Sequence, residues 1–135
     1  MSLKVHHVGY LVKKLDKATE AFKALGYETE SGPVRDEIRK VDISFMIKDG
    51  YRVELVSPYA GDSVVADMIK RYTNMPYHIC YESDDFAKDA AALRTAAYIP
   101  IDKPTVAVAI EGCKVSFYMN PQVGMIELID RTTCS

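Results

Sequence analysis

Two histidines and two glutamates stand at matching places in this chain, and together they could ligate a divalent metal ion. His7 lies within Lys4-Val5-His6-His7-Val8-Gly9-Tyr10-Leu11-Val12, and His78 within Pro76-Tyr77-His78-Ile79-Cys80-Tyr81-Glu82. Gly9 answers to Cys80, Tyr10 to Tyr81, and Leu25-Gly26-Tyr27 to Ala96-Ala97-Tyr98. Glu54, in Tyr51-Arg52-Val53-Glu54-Leu55-Val56, answers to Glu127, in Gly124-Met125-Ile126-Glu127-Leu128-Ile129. Each half opens with a histidine in an apolar strand and closes with a glutamate in another, the mark of an internal duplication.

A carboxylate set in an apolar strand is costly unless it is paired or bound to a cation. Two imidazoles and two carboxylates suit a first-row divalent ion with positions left for water or substrate. A lone strand histidine is more often packed in a core or exposed, and a lone strand glutamate more often faces solvent. Two His…Glu pairs at matched places are hard to reconcile with a solvated face. If the halves meet about a pseudo-twofold axis, all four side chains converge. His6 has Tyr77 as its counterpart, and alternation turns it away from the face of His7, so it has no metal role.

The elements that must position these residues follow from periodicity. Leu15, Ala18, Phe22 and Leu25 form one face of a helix, with Asp16 as N-cap and Gly26 as stop. Ser31-Gly32-Pro33 breaks a polar stretch, and Val34–Lys40 reads as an exposed strand. Val41, Ile43, Phe45 and Ile47 alternate as a half-buried strand, and Asp49-Gly50 is a type I′ hairpin signal that sets Glu54 across from Phe45. Ser63–Tyr72 is a connecting helix. In the second half, Phe86, Ala90, Leu93 and Ala97 make the helix stripe, capped by Ser83 or Asp84. Thr105–Ile110 alternates weakly, and Val115, Phe117 and Met119 alternate before a turn at Asn120-Pro121. Met125–Asp130 is the last strand. The result is an α+β chain of two tandem βαβββ modules, about 1–60 and 74–135, in a single domain.

Length and composition bound the rest. At 135 residues and 48% hydrophobic content, the chain is large enough for a real core. The balance of 17 basic and 19 acidic residues, with no basic cluster among aromatics, argues against nucleic acid. No apolar run has the ~20 residues of a membrane helix. The opening residues lead straight into a strand and leave no room for a signal peptide. Three cysteines, Cys80, Cys113 and Cys134, are odd in number and lack zinc spacing, which points to a reducing, cytoplasmic setting. Arg35, Arg39 and Lys40 could hold an anionic substrate tail or simply keep an edge strand soluble. Cys80 shares a strand face with His78, as a small apolar filler or a residue looking into the site.

Val5-His6-His7-Val8-Gly9, Val53-Glu54-Leu55, Tyr77-His78-Ile79 and Gly124-Met125-Ile126-Glu127-Leu128 resemble the vicinal oxygen chelate superfamily over essentially the whole chain. The resemblance implies paired modules curled into a cup-shaped mixed sheet with a metal at its base. The order His7, Glu54, His78, Glu127 is similar to short bacterial glyoxalase I, whereas methylmalonyl-CoA epimerase usually has glutamine at the second place. The glyoxalase I resemblance implies a homodimeric lactoylglutathione lyase-like enzyme that prefers nickel or cobalt, with zinc possible. It would isomerise the thiol hemithioacetal of methylglyoxal to a lactoyl thioester through an enediolate, with Glu127 as base and Glu54 second to it. The alternatives are a methylmalonyl-CoA epimerase-like enzyme acting on an acyl thioester, or a non-catalytic small-molecule binding or resistance protein.

Overall fold

The computed structural model describes residues 3–72 and 74–135. Met1 and Ser2, expected to run straight into the first strand, lie outside these residues. The chain divides into two compact units, His7–Tyr77 and the residues up to His6 together with His78–Ser135. The fold is α+β, a duplicated βαβββ-like module whose strands form mixed, open sheet.

The first module runs β1 (Lys4–Leu11), α1 (Leu15–Ala24), β2 (Glu28–Asp36), β3 (Val41–Lys48) and β4 (Tyr51–Pro58), followed by the short α2 (Ala66–Arg71). The strand order is β2-β3-β4-β1, with β1 parallel to β4 and the other neighbours antiparallel. Asp49 and Gly50 both take positive φ, 54° and 80°, as a type I′ turn requires. That turn fixes the register Lys48↔Tyr51, and hence Phe45↔Glu54 three pairs further in.

On one face of this sheet, buried Met46, Val53 and Leu55 pack with Val12 and receive Leu15, Ala18 and Phe22 of α1. Tyr10 and Tyr27 meet the Phe22 ring edge-on at 5.2 and 5.1 Å. Because side chains alternate along β4, Glu54 must lie on the face opposite Val53 and Leu55. The helix thus leaves the glutamate side of the sheet uncovered.

The second module runs β5 (Met75–Ser83), α3 (Phe86–Thr95), the two-residue strands β6 (Ile99–Pro100) and β7 (Thr105–Val106), β8 (Lys114–Asn120) and β9 (Gly124–Asp130). Strand β5 lies parallel to β9, and β8 pairs antiparallel with β9, β6 and β7. Ala90 and Leu93 of α3 cover Tyr118, Ile126 and Leu128. Glu127, between the last two, again faces away from the helix.

Several sequence expectations need correction. Strand β2 begins at Glu28 and continues through the Ser31-Gly32-Pro33 break as a register shift, while Glu37–Lys40, expected as strand, is a turn. The N-cap of α1 is Lys14 with no side-chain cap, and Asp16 falls in the first turn. Leu25 is the C-cap and is largely exposed. Helix α3 is capped by Asp85, which accepts from the Lys88 N–H, while Ser83 Oγ accepts from the Asp85 N–H. The connecting helix is shorter than Ser63–Tyr72, and the weak strand at Thr105–Ile110 ends in a 3-10 turn.

The cysteine expectation also changes. Cys113 and Cys134 form a disulfide across 21 residues, tying the turn after β9 to the start of β8, and only Cys80, fully buried, lies outside it. The odd count therefore gives no argument for a reducing compartment. Closing a loop of 21 residues contributes about 3 kcal/mol by restricting the unfolded chain. Cys134→Ser should lower the urea midpoint under oxidising conditions, and the wild type should lose the same stability on reduction.

Arg35, Arg39 and Lys40 are engaged rather than held out for a ligand. Arg35 donates two hydrogen bonds to Asp42, at 2.8 and 3.0 Å, and its guanidinium lies 3.9 Å from the Tyr59 ring centroid. Arg39 pairs with Asp36 at 2.8 Å, and Lys40 pairs with Asp62. The Arg35 hydrogen bonds hold the Asp42 carboxyl below the usual carboxylate range. That contribution is complete above the unfolded value, about 3.9, and is lost as pH falls through the lower folded value. Asp42→Asn should therefore flatten the acid limb of a stability–pH profile between these two values and leave its neutral-to-basic slope unchanged.

Candidate metal-ligand pairs in each module

In the unit His7–Tyr77, the parallel register Val8↔Val53 and Gly9↔Glu54 brings β1 and β4 side by side. The His7 and Glu54 side chains meet on the uncovered face, with Nε2 3.3 Å from Oε1. The Phe45 ring, from the position cross-strand to Glu54, stands edge-on to His7 at 5.2 Å and 74°. In the other unit, β5 and β9 pair with Cys80↔Glu127, and His78 Nε2 lies 3.2 Å from Glu127 Oε1. Phe117, cross-strand to Glu127, stands edge-on to His78 at 5.3 Å and 89°. The two modules repeat one His–Glu–Phe arrangement almost to the ångström.

All four polar side chains are buried, with exposures of 1% for His7 and 4% for Glu54, His78 and Glu127. Removing an ionised carboxylate from water costs several kcal/mol unless other charges or donors offset it. The observed separations are long for a charge-assisted hydrogen bond, which is about 2.7–2.9 Å. They fit two neighbouring ligands of one ion: with bonds near 2.1 Å, such atoms lie ~3.0 Å apart at a right angle and ~3.4 Å apart in a tetrahedron. Imidazole with carboxylate is also the donor chemistry of first-row divalent cations. Each pair therefore fits half of a metal site.

The residues the sequence singled out are thus brought together as His7 with Glu54 and His78 with Glu127. The phenylalanines were missed as part of the site, although Ser44-Phe45 recurs as Ser116-Phe117 at matching strand positions. The signal was in the duplication, but an aromatic residue in a half-buried strand reads first as core.

This chain belongs to the Glyoxalase/Bleomycin resistance protein/Dioxygenase superfamily, whose model matches residues 6–117. No curated protein sequence gives a significant match. Among solved structures, a hypothetical protein from Bacillus halodurans C-125 is 18% identical, with coverage of 97% of this chain and 96% of that chain and a TM-score of 0.82. A variant of Streptomyces coelicolor methylmalonyl-CoA epimerase, in complex with 2-nitronate-propionyl-CoA, is 23% identical, with coverage of 94% and 96% and a TM-score of 0.78. Methylmalonyl-CoA epimerase from Mycobacterium tuberculosis is 19% identical, with coverage of 93% and 86% and a TM-score of 0.78.

These likenesses support the fold. They also overturn the placement nearest to short bacterial glyoxalase I, because the similar structures include several methylmalonyl-CoA epimerases. The earlier placement turned on a carboxylate rather than an amide at position 54. One residue type is a weak discriminator when both groups ligate through an oxygen. The preference for nickel or cobalt came with that placement and loses its basis. Among the described residues no helix is long and apolar enough to cross a membrane.

Proposed function

We propose that the chain is a metal-dependent, epimerase-like enzyme that moves the proton on the carbon next to the carbonyl of an acyl thioester, with a branched acyl-CoA as substrate class. In this proposal the two units act as one domain, and His7, Glu54, His78 and Glu127 hold a single first-row divalent ion. When bound, that ion would supply Lewis-acid polarisation of the substrate carbonyl, worth several kcal/mol.

The chain's own residues would do the rest. A carboxylate accepts the α-proton from one face of the carbon, and epimerisation requires its return on the other face. The duplication offers one carboxylate per half for these tasks, with Glu127 as the base for one stereoisomer and Glu54 for the other. Phe45 and Phe117 press edge-on against the imidazoles, fix their rotamers and exclude water from one side of each ring.

The observation that carries the proposal is the duplicated buried His–Glu pair, 3.3 Å in one unit and 3.2 Å in the other. The methylmalonyl-CoA epimerases among the similar folds support the choice of an acyl thioester. The test is incubation with methylmalonyl-CoA in deuterium oxide, followed by mass spectrometry. Uptake of one solvent deuteron at the α-carbon, at a rate proportional to enzyme, is the expected result. Saturable binding of the thioester that survives a chelator, with no deuterium uptake, would point instead to a binding protein.

A further inference from the structure

The segment after β9 comprises the 3-10 turn Arg131–Thr133, then Cys134 and Ser135. It carries no large apolar side chain, so burial contributes little to holding it in place. Apart from the disulfide, polar contacts fasten it. The Lys114 N–H donates to Thr133 Oγ1 at 2.8 Å, and the Ser135 N–H and Oγ both donate to the Glu111 carbonyl, at 3.1 and 3.0 Å. Glu111 and Gly112 take positive φ, 54° and 71°, in the turn that delivers Cys113 to Cys134.

Arg131 joins this bond to the sheet. Its guanidinium reaches Glu82 of β5, with Nε and Nη2 2.8 and 2.6 Å from Oε2, and lies 3.7 Å from Glu111. By strand alternation Glu82 shares a face of β5 with His78 and Cys80. Through Nη1 the same guanidinium donates to Cys113 Sγ at 3.7 Å and to Cys134 Sγ at 3.9 Å. A cation against both sulfurs does little for a neutral disulfide. It stabilises the anion that forms when the bond opens.

The two cysteines are not equivalent. Cys113 has no exposed surface, whereas Cys134 is half-buried. An incoming thiolate therefore reaches Cys134, and the leaving sulfur is the one enclosed beside Arg131. Thiol–disulfide exchange is faster when the leaving sulfur is the better stabilised anion.

We propose that the Cys113–Cys134 bond is a redox-sensitive latch, opened at Cys134 by a small thiol and closed again by exchange with an oxidised thiol. A thiolate attacks Cys134 Sγ and forms a mixed disulfide, while the Cys113–Cys134 bond breaks and its electron pair leaves on Cys113 Sγ, facing Arg131. A second thiolate attacks the sulfur of the first and releases the Cys134 thiolate. Two thiols are thereby oxidised to one disulfide, and the protein disulfide is reduced. Opening frees residues 131–135 and loosens the start of β8, the strand that stands Phe117 against His78. The latch is independent of the proposed reaction.

The test exposes the intact chain, purified without reductant, briefly to 2-mercaptoethanol, followed by an acid quench and peptide mapping by mass spectrometry. The expected product carries the adduct on Cys134 and a free thiol at Cys113. Arg131→Gln should slow opening about ten-fold, and Arg131→Lys, which keeps the charge, should slow it less. A merely structural Arg131 predicts the opposite sign, because a loosened segment exposes the bond. Amide exchange followed by NMR should show protection lost at Lys114 and Ser135 on reduction and unchanged in β3 and β4. Free thiols at Cys113 and Cys134 before any reductant is added would overturn the proposal. So would an adduct confined to Cys113, opening of Arg131→Gln as fast as the wild type or faster, or identical exchange at Lys114 and Ser135 in the two redox states.

Discussion

Glu127→Gln is expected to lower the rate of epimerisation by about 10²–10⁴-fold, the range for lost general acid–base catalysis, while the metal stays bound. Glutamine keeps an oxygen donor at the same reach and removes only the group that accepts the proton. Glu54→Gln should lose as much in epimerisation, because the proton must be handled on both faces. The two variants should differ in solvent exchange. Each should still exchange the α-proton of one stereoisomer, and the isomer that exchanges should be opposite in the two. Assays starting from each pure stereoisomer in deuterium oxide read this directly. If both variants lose exchange with the same isomer, one carboxylate is only a ligand and the duplicated acid–base assignment is wrong.

Removing the metal should have a still larger effect. Treatment with a chelator followed by buffer exchange should reduce deuterium exchange to the uncatalysed background. Adding back Co²⁺, Ni²⁺ or Zn²⁺ separately should restore it. The donor set of two imidazoles and two carboxylates accepts all three, and their ranking is what the experiment supplies. The fold should survive, since both cores sit on the helix side of their sheets, around Leu55 in one unit and Leu128 in the other. An unchanged far-ultraviolet circular-dichroism spectrum at 25 °C, with a cooperative melt at a lower temperature, would separate loss of the ion from loss of structure. Activity that persists after complete removal of metal would exclude a metal-dependent reaction.

Much of this was legible in the sequence because strand alternation is a strict rule. Glu54 lies between Val53 and Leu55, so once those two residues face the helix, the carboxylate has only one direction left. The Asp49-Gly50 turn then fixed which residue stands across from it. The same logic runs through Ile126, Glu127 and Leu128.

Helix ends and irregular strands were less legible. Lys14 occupies the N-cap of α1 although Asp16 is the better capping residue, because the chain entering the helix is held by Ser57 and Asn74 rather than by a local cap. Strand β2 runs through Gly32-Pro33 because contacts to β3 override a local break signal. The Cys113–Cys134 bridge could not be read from spacing, since it depends on the turn after β9 returning to the start of β8. Between glyoxalase I and an acyl-CoA epimerase, one side chain on a shared framework was too small a signal to decide.

In the proposed enzyme one ion is shared by the two His–Glu pairs. This is tested most directly by counting metal per chain with elemental analysis, in the wild type and in His7→Ala and His78→Ala. A shared site gives one divalent ion per chain, lost from either variant, although the two histidines belong to different units. Two ions per chain, or a variant that keeps the full complement, would contradict it.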